Sequence, residues 1–387
     1  MIYRRFFSLI AVSFLLYPPL FSQQQFDTLS IEDISRGIRY FHLQTSRPQQ
    51  IHVAEIQLRN PSLRIESLRH QGLEKTSDVV VKRSSGKQRS VVAINGDFFD
   101  TADSLPVNNQ ITNAIPVTGY TTPEKSQFAV TAHHEILMEG FSFSGTIRTK
   151  TKVDYTFSRL NSKRILSEIT FYTGYQGRTT KRKPGGVEIQ LRPVDTKFRI
   201  GDTMRYVVTA ISSEGYCVIP EHGAVISFGR SDSSAKFRSA FSNGDTVSLF
   251  LNYTPGKRKS DTIITQLIGG WGRILHLGKY SAEYNIKTEG LKEKFLNTRH
   301  PRTFAGINSD TTTLYICVVD GRQSNSIGMT FTEMAEVLRL FHVTEAVNFD
   351  GGGSSTLVIR GKVVNSPSDP SGERAVANSL HVITSGQ

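Results

Sequence analysis

Two periodicities organise the chain. Ile38-Arg39-Tyr40-Phe41-His42-Leu43 and Ile51-His52-Val53-Ala54-Glu55-Ile56-Gln57-Leu58 alternate as half-buried strands do. Asn60-Pro61 then turns the chain into a third strand over Leu63 to Leu68. Short apolar runs at Val91 to Ile94, Leu314 to Val319 and Ala346 to Phe349 read as buried strands. A 3.6-residue period appears at Met334, Val337, Leu338 and Phe341, opened by the capping box Thr330-Phe331-Thr332-Glu333, so a helix is expected there through Phe341. Asp78 to Arg83 predicts a second, short helix. Residues 127–265 are strand-like throughout, with turns at Glu139-Gly140, Ser144-Gly145, Gly201-Asp202, Asn243-Gly244-Asp245 and Pro255-Gly256. The expected fold class is α+β, with a mixed β-sheet core, few helices and a β-rich middle that reads as a subdomain over 127–265. No linker divides the chain cleanly.

The buried strands share a feature. Each runs out into glycine and an acid: Asn95-Gly96-Asp97, Asp320-Gly321-Arg322 and Asp350-Gly351-Gly352-Gly353-Ser354. If the strands ending at Asp320 and Asp350 are parallel, both acids open onto one edge, where sheets of this kind place ligands. Gly351 to Gly353 can bare successive N–H groups as a concave nest for an anion. A Gly-rich β-turn explains Asp350 to Ser354 equally well, and Asn-Gly at Asn95-Gly96 is itself a strong turn signal. Phe98-Phe99 would then be core or pocket wall. Ile268-Gly269-Gly270-Trp271 places the only tryptophan beside bare backbone, which suits sugar stacking or a tight structural turn. Arg302, at the start of a further strand, is placed for bidentate contact with phosphate or carboxylate, or for a surface ion pair. Arg374 and Asn378 are polar groups in the last loop before the terminal strand Ser379 to Ile383. Glu333 is accounted for by capping.

Composition adds an address. Arg4 and Arg5, the apolar run Phe6 to Tyr17, and Pro18-Pro19 before Phe21-Ser22-Gln23 have the layout of a secretory signal peptide over 1–22. The run is shorter than the roughly 20 residues that span a bilayer, and nothing later reaches that length. Mature protein from Gln23 to 387, exported to periplasm or medium without stable membrane insertion, is the expectation. The formal charge is +12, or about +10 without the two leader arginines, which favours anionic glycans, phosphate groups or membrane surfaces as partners. Nucleic acid is not expected, because no motif supports it. The basic run Arg178 to Lys183 reads as an exposed loop. Cys217 and Cys317 are the two cysteines, and they fit no metal spacing.

Taken together, Asn95-Gly96-Asp97-Phe98-Phe99, Ile268-Gly269-Gly270, Arg302-Thr303-Phe304-Ala305-Gly306, Val319-Asp320-Gly321-Arg322-Gln323, Ser326-Ile327-Gly328-Met329-Thr330, Asn348-Phe349-Asp350-Gly351-Gly352-Gly353-Ser354-Ser355, and Asn365-Ser366-Pro367-Ser368-Asp369 through Arg374 and Asn378 resemble the phosphodiester glycosidase family. That family is known from the lysosomal enzyme that uncovers a phosphate by removing N-acetylglucosamine from its diester. The set falls in the family's order and covers nearly all of the mature chain. Two positions depart from the pattern. Trp271-Gly272 stands where Gly-Pro is expected, and Phe349 where leucine is commoner; both bear on substrate choice more than on chemistry.

The resemblance implies hydrolysis at the anomeric carbon of a sugar joined to phosphate, in a phosphorylated glycan or glycolipid. Asp350, Asp320 and Asp97, in that order, are then the candidate carboxylates, and Arg302 a candidate for stabilising the departing phosphate. Asn95, Gly96, Arg322, Asn348, Gly351, Gly352, Gly353, Ser354, Arg374 and Asn378 are the candidate substrate contacts. Two alternatives stay open. One is an envelope-glycan binder that keeps the pocket without turnover. The other is a phosphodiesterase in which Asp97, Asp320 and Asp350 hold a hard divalent cation.

Overall fold

A computed structural model describes residues 26–385, apart from 85–87, 181–184, 196–198 and 257–261. The expected signal peptide and Lys181 to Lys183 of the basic run lie outside the described residues.

The alternating segments near the amino terminus form one edge of a seven-stranded antiparallel sheet. Its order is Phe26–Ser35, Ile38–Thr45, Gln50–Gln57, Thr313–Val319, Arg302–Asn308, Val343–Asn348, Arg273–Leu275. The outermost strand, Phe26–Ser35, shows no alternation in sequence because most of its residues stay exposed. Thr313–Val319 and Val343–Asn348 each pair antiparallel with Arg302–Asn308, so they run parallel to one another with one strand between. Their carboxy-terminal ends and the start of Arg302–Asn308 therefore meet at one edge, as the sequence suggests.

A second sheet, ordered Lys362–Val363, Leu357–Ile359, Gln88–Asn95, Val376–Ser385, Leu63–Glu74, packs on one face of the first. The core between them joins Ile38, Ile56, Ala305, Ile316 and Val347 of one sheet to Val92, Ile94, Leu380 and Val382 of the other. Burial on both faces explains why these strands read as unbroken apolar runs. On the opposite face lies the helix Phe331–Leu340, capped by Thr330 and Glu333 in the expected box. Met334, Val337 and Leu338 pack onto Val53, Phe304, Cys317 and Val319. The helix stops one residue short of Phe341, which is half-buried against the same core. The short helix is Thr76–Arg83.

The middle of the chain forms an eleven-stranded antiparallel sheet from Gln110 to Ile268, with its own core around Phe141, Phe143, Phe157, Phe171, Ile226 and Tyr253. Phe128, Val130, Met138 and Ile268 instead join the core between the two smaller sheets. Ile264–Ile268, which pairs with residues 128–131, thus delivers Gly269-Gly270 against the acid-bearing edge. Cys217 and Cys317 are both free thiols buried in separate cores. No helix among the described residues is long and apolar enough to cross a membrane.

Candidate active site

Strand ends from both smaller sheets meet around Asp350. Asn95, the last residue of Gln88–Asn95, is the clamp that joins them. Its Nδ2 donates to the Asp350 carbonyl at 2.7 Å, while its Oδ1 accepts from Thr303 Oγ1 at 2.8 Å and Thr356 N at 3.1 Å. Gly96 continues the join: its N–H donates to Asn378 O, and its carbonyl accepts from Asp350 N. Asn95-Gly96 is therefore a junction between sheets rather than a hairpin turn. The Asn378 side chain is buried, accepting from Asp97 N at 2.8 Å and donating to Gln110 Oε1 at 3.1 Å. Asn95, Gly96 and Asn378 have their polar groups engaged in this frame, so they shape the site rather than reach into it. Asn348 does the same for the Trp271 turn through its amide, with its Oδ1 left buried and without a partner among the described residues.

The frame brings two acids into one electrostatic unit. Asp97 is 1% exposed, and its carboxylate accepts from Asn108 N at 2.9 Å and Asn108 Nδ2 at 2.7 Å. Burial pushes its pKa up to about 7; the Asn108 hydrogen bonds and Lys125 pull it back, and the charge of Asp350 adds to the rise. Asp350 is only half-buried, and burial raises it to about 6 against hydrogen bonds from Ser354 and Gly351 N and the charge of Arg374. Two carboxyls poised near neutrality at one strand edge are what proton transfer or nucleophilic attack at neutral pH requires.

Cations flank the pair. Arg322, at φ 61°, is exposed and has no ion-pair partner among the described residues. Its guanidinium lies against Gly352, where a β-carbon would meet Nη2 at 3.0 Å. Arg374 is held by Asp369 at 2.7 Å and lies over Gly353, with Ser354 Oγ 3.5 Å from its Nη1. On the Gly269-Gly270 side, a β-carbon at Gly269 would strike Asp97 Oδ2 at 2.3 Å, so only glycine admits the carboxylate. The next residue, Trp271, stands edge-on to Phe98 at 5.9 Å and carries Lys125 Nζ 4.2 Å over its ring. This aromatic and cationic wall suits a pyranose bearing anionic substituents.

Several sequence expectations need correction. Arg302 is 1% exposed, donates to the carbonyls of Met329, Phe295 and Thr298, and lies over the rings of Phe295 and Phe331. It holds the 295–302 segment together, and burial pulls its pKa down to about 9; its donors are not free for phosphate. Asp320 reaches the expected edge but accepts from His52 Nε2 at 3.2 Å, Asn365 Nδ2 at 2.9 Å and Ser366 N at 3.0 Å. With both oxygens occupied in a buried cluster, it is a clamp for residues 365–366. The glycine nest is filled from within, because Gly351 N donates to Asp350 Oδ1 and Gly352 N to Pro301 O. For the same reasons Asp97, Asp320 and Asp350 do not converge as cation ligands. Among the described residues, no group of three or more His, Cys, Asp or Glu is arranged to hold a metal ion.

Sequence reasoning missed Lys125 and Asn108. Neither carries a motif, though the polar triplet Asn108-Asn109-Gln110, fully buried, was a signal that something polar is held there.

Residues 198–383 match the pattern of the family described as phosphodiester glycosidase, a stretch that contains Trp271, Arg322, Asp350 and Arg374 but not Asp97. An uncharacterized SPbeta prophage-derived protein, YomE, of Bacillus subtilis is 41% identical over 22% of this chain and 13% of its own length. The N-acetylglucosamine-1-phosphodiester alpha-N-acetylglucosaminidase of Mus musculus is 40% identical over 21% of this chain and 15% of its own. The match thus spans about a seventh of that curated relative's length. In overall fold the chain resembles a hypothetical protein from Synechocystis, at TM-score 0.74 and 18% identity, over 92% of this chain and 64% of the other. Over residues 198–383, just under half of its length, the chain is similar to the phosphodiester glycosidase family.

Proposed function

We propose that this chain is an exported hydrolase that cleaves the glycosidic bond of a sugar-1-phosphodiester in a phosphorylated glycan or glycolipid. The observation that carries the proposal is the partly buried Asp350 carboxyl, raised to about 6, two residues before the Gly352 backbone against which Arg322 lies with no ion-pair partner among the described residues. At neutral pH Asp350 is ionised and acts at the anomeric carbon, by attack or by activating water. Phosphate departs as a weak base, so charge stabilisation replaces a strong general acid. Arg322 and Arg374 provide it beside Gly352 and Gly353. Trp271, Phe98 and Lys125 form the wall for the sugar. Asp97 is buried behind the reacting group; while it keeps its proton, the pair carries a single negative charge.

The test is hydrolysis of a panel of sugar-1-phosphodiesters by the protein lacking residues 1–22, with and without chelator. Free sugar should be released from at least one member irrespective of chelator, and Asp350→Asn should lower turnover by about 10³-fold while the fold persists. No release from any member by folded protein would leave the glycan-binding alternative in its place.

A further inference from the structure

One buried acid has no part in the site described so far. Glu289, 2% exposed, lies in the connection between the short helices Ala282–Lys287 and Glu293–Asn297. Its carboxylate accepts from Ser126 Oγ at 2.6 Å, Gly272 N at 2.7 Å and Ser126 N at 3.3 Å. Its backbone carbonyl accepts from the Trp271 indole Nε1 at 2.7 Å. A single residue thus grips Trp271 by its ring and Gly272 by its backbone, and ties both to the residue that follows Lys125.

These are the pieces of the sugar wall, drawn from distant parts of the chain: Ser126 is 163 residues from Glu289, and Gly272 is 17. Fixing Ser126 sets where the Lys125 stem departs, and so how its ammonium meets the Trp271 ring at 4.2 Å. Three buried donors converge on one carboxylate, and its removal leaves each of them unsatisfied. The acid pair has a separate frame, through Asn95 and Asn378. The Trp271 backbone is pinned to Asn348, and Arg273 to Asn285, without help from the Glu289 side chain. Loss of the carboxylate therefore loosens the ring and the lysine while the turn and the acids stay in place.

We propose that Glu289 is a positioning residue for the sugar: it sets the Trp271 ring and the Lys125 ammonium as one rigid wall, and so governs substrate binding rather than the chemical step. A wall held rigid in advance gives up less side-chain freedom when the sugar arrives, which is how such a residue adds affinity. The assignment of a sugar to this wall rests on the hydrolase reading; the anchoring of Trp271 does not.

Trp271 is the only tryptophan, so its fluorescence reports on the wall alone. In Glu289→Ala its anisotropy should fall and acrylamide should quench it about twofold more efficiently. Glu289→Gln, whose amide still accepts from Gly272 N and donates to Ser126 Oγ, should match the parent protein. On a sugar-1-phosphodiester that the parent hydrolyses, Glu289→Ala should raise KM about tenfold and change kcat less than about threefold, with most of the loss recovered in Glu289→Gln. Should Glu289→Ala not fold, Ser126→Ala removes one of the three donors and should give the same split, about threefold in KM. A rigid Trp271 in the folded variant, a loss in kcat as large as that in KM, or an unmoved KM beside a freed Trp271 would each overturn the proposal. If the parent hydrolyses no member of the panel, the hydrolase reading falls by itself and binding decides. Quenching of Trp271 by the 1-phosphates of glucose or N-acetylglucosamine, weakened about tenfold in Glu289→Ala, would sustain the wall, and no quenching by either would strike it.

Discussion

Asp320 and Asp350 make a natural comparison. Each follows a buried strand, each precedes glycine, and the strands run parallel on either side of Arg302–Asn308 to the same edge. Their surroundings are opposite. Asp320 receives hydrogen bonds from His52, Asn365 and Ser366, and His52 is itself fixed by Tyr40 at 2.7 Å. Asp350 is partly buried with a raised pKa, and among the described residues the donors to its carboxylate are its neighbour Gly351 N and the Ser354 hydroxyl. On the proposed function, what separates a clamp from a reagent is how many donors the fold supplies to the carboxylate, not where the strand ends. Arg302 and Arg322 repeat the contrast, one saturated by carbonyls and rings, the other exposed and without an ion-pair partner among the described residues.

The comparison breaks most visibly at Asp320. Asp320→Ala strands His52, Asn365 and the Ser366 amide, and a loss of about 3 kcal/mol in urea unfolding is expected. Retained stability would mean that the cluster is not a clamp. Arg302→Ala should cost about as much, roughly 3 kcal/mol, by freeing three buried carbonyls and the two aromatic faces. Arg322→Ala should leave the melting temperature in place and lower kcat/KM on a sugar-1-phosphodiester by about 10²-fold. If Arg302 rather than Arg322 showed the kinetic loss without a stability loss, the two assignments would be reversed.

A smaller effect concerns pH. The folded pKa of Asp97, about 7, lies above the ordinary carboxylate value, so the folded chain holds this proton more tightly than the unfolded chain. The corresponding stability is complete below about pH 4 and is lost as pH rises towards 7. Asp97→Asn removes that dependence, because a flip of Asn108 turns its unpartnered Oδ1 towards the new amide. Urea midpoints measured between pH 4 and 7 should therefore fall less steeply in the variant, by up to about 1.4 kcal/mol per pH unit. Parallel pH profiles for the two proteins would place the raised pKa elsewhere.

Much of the scaffold was legible in sequence. Period-two alternation found Ile38–Thr45 and Gln50–Gln57, unbroken apolar runs found the buried strands, and a capping box found the helix. Phe26–Ser35 was invisible because an edge strand exposed on most positions has no pattern to read. The site was half legible. Asp-Gly at a strand end marks the edge, but the partners that decide its role come from afar: His52 is 268 residues from Asp320, and Asn365 is 45. Lys125 came into view only when the long middle sheet was folded back, setting its ammonium over Trp271. Arg302 misled for the same reason, since an arginine at a strand start looks identical whether three carbonyls or solvent await it.

The most direct measurement is kcat on one sugar-1-phosphodiester for Asp350→Asn and Asp320→Asn side by side, each corrected for the folded fraction. The account predicts a loss of about 10³-fold at Asp350 and less than tenfold at Asp320. A loss at Asp320 as large as that at Asp350, or turnover that survives Asp350→Asn, would contradict it.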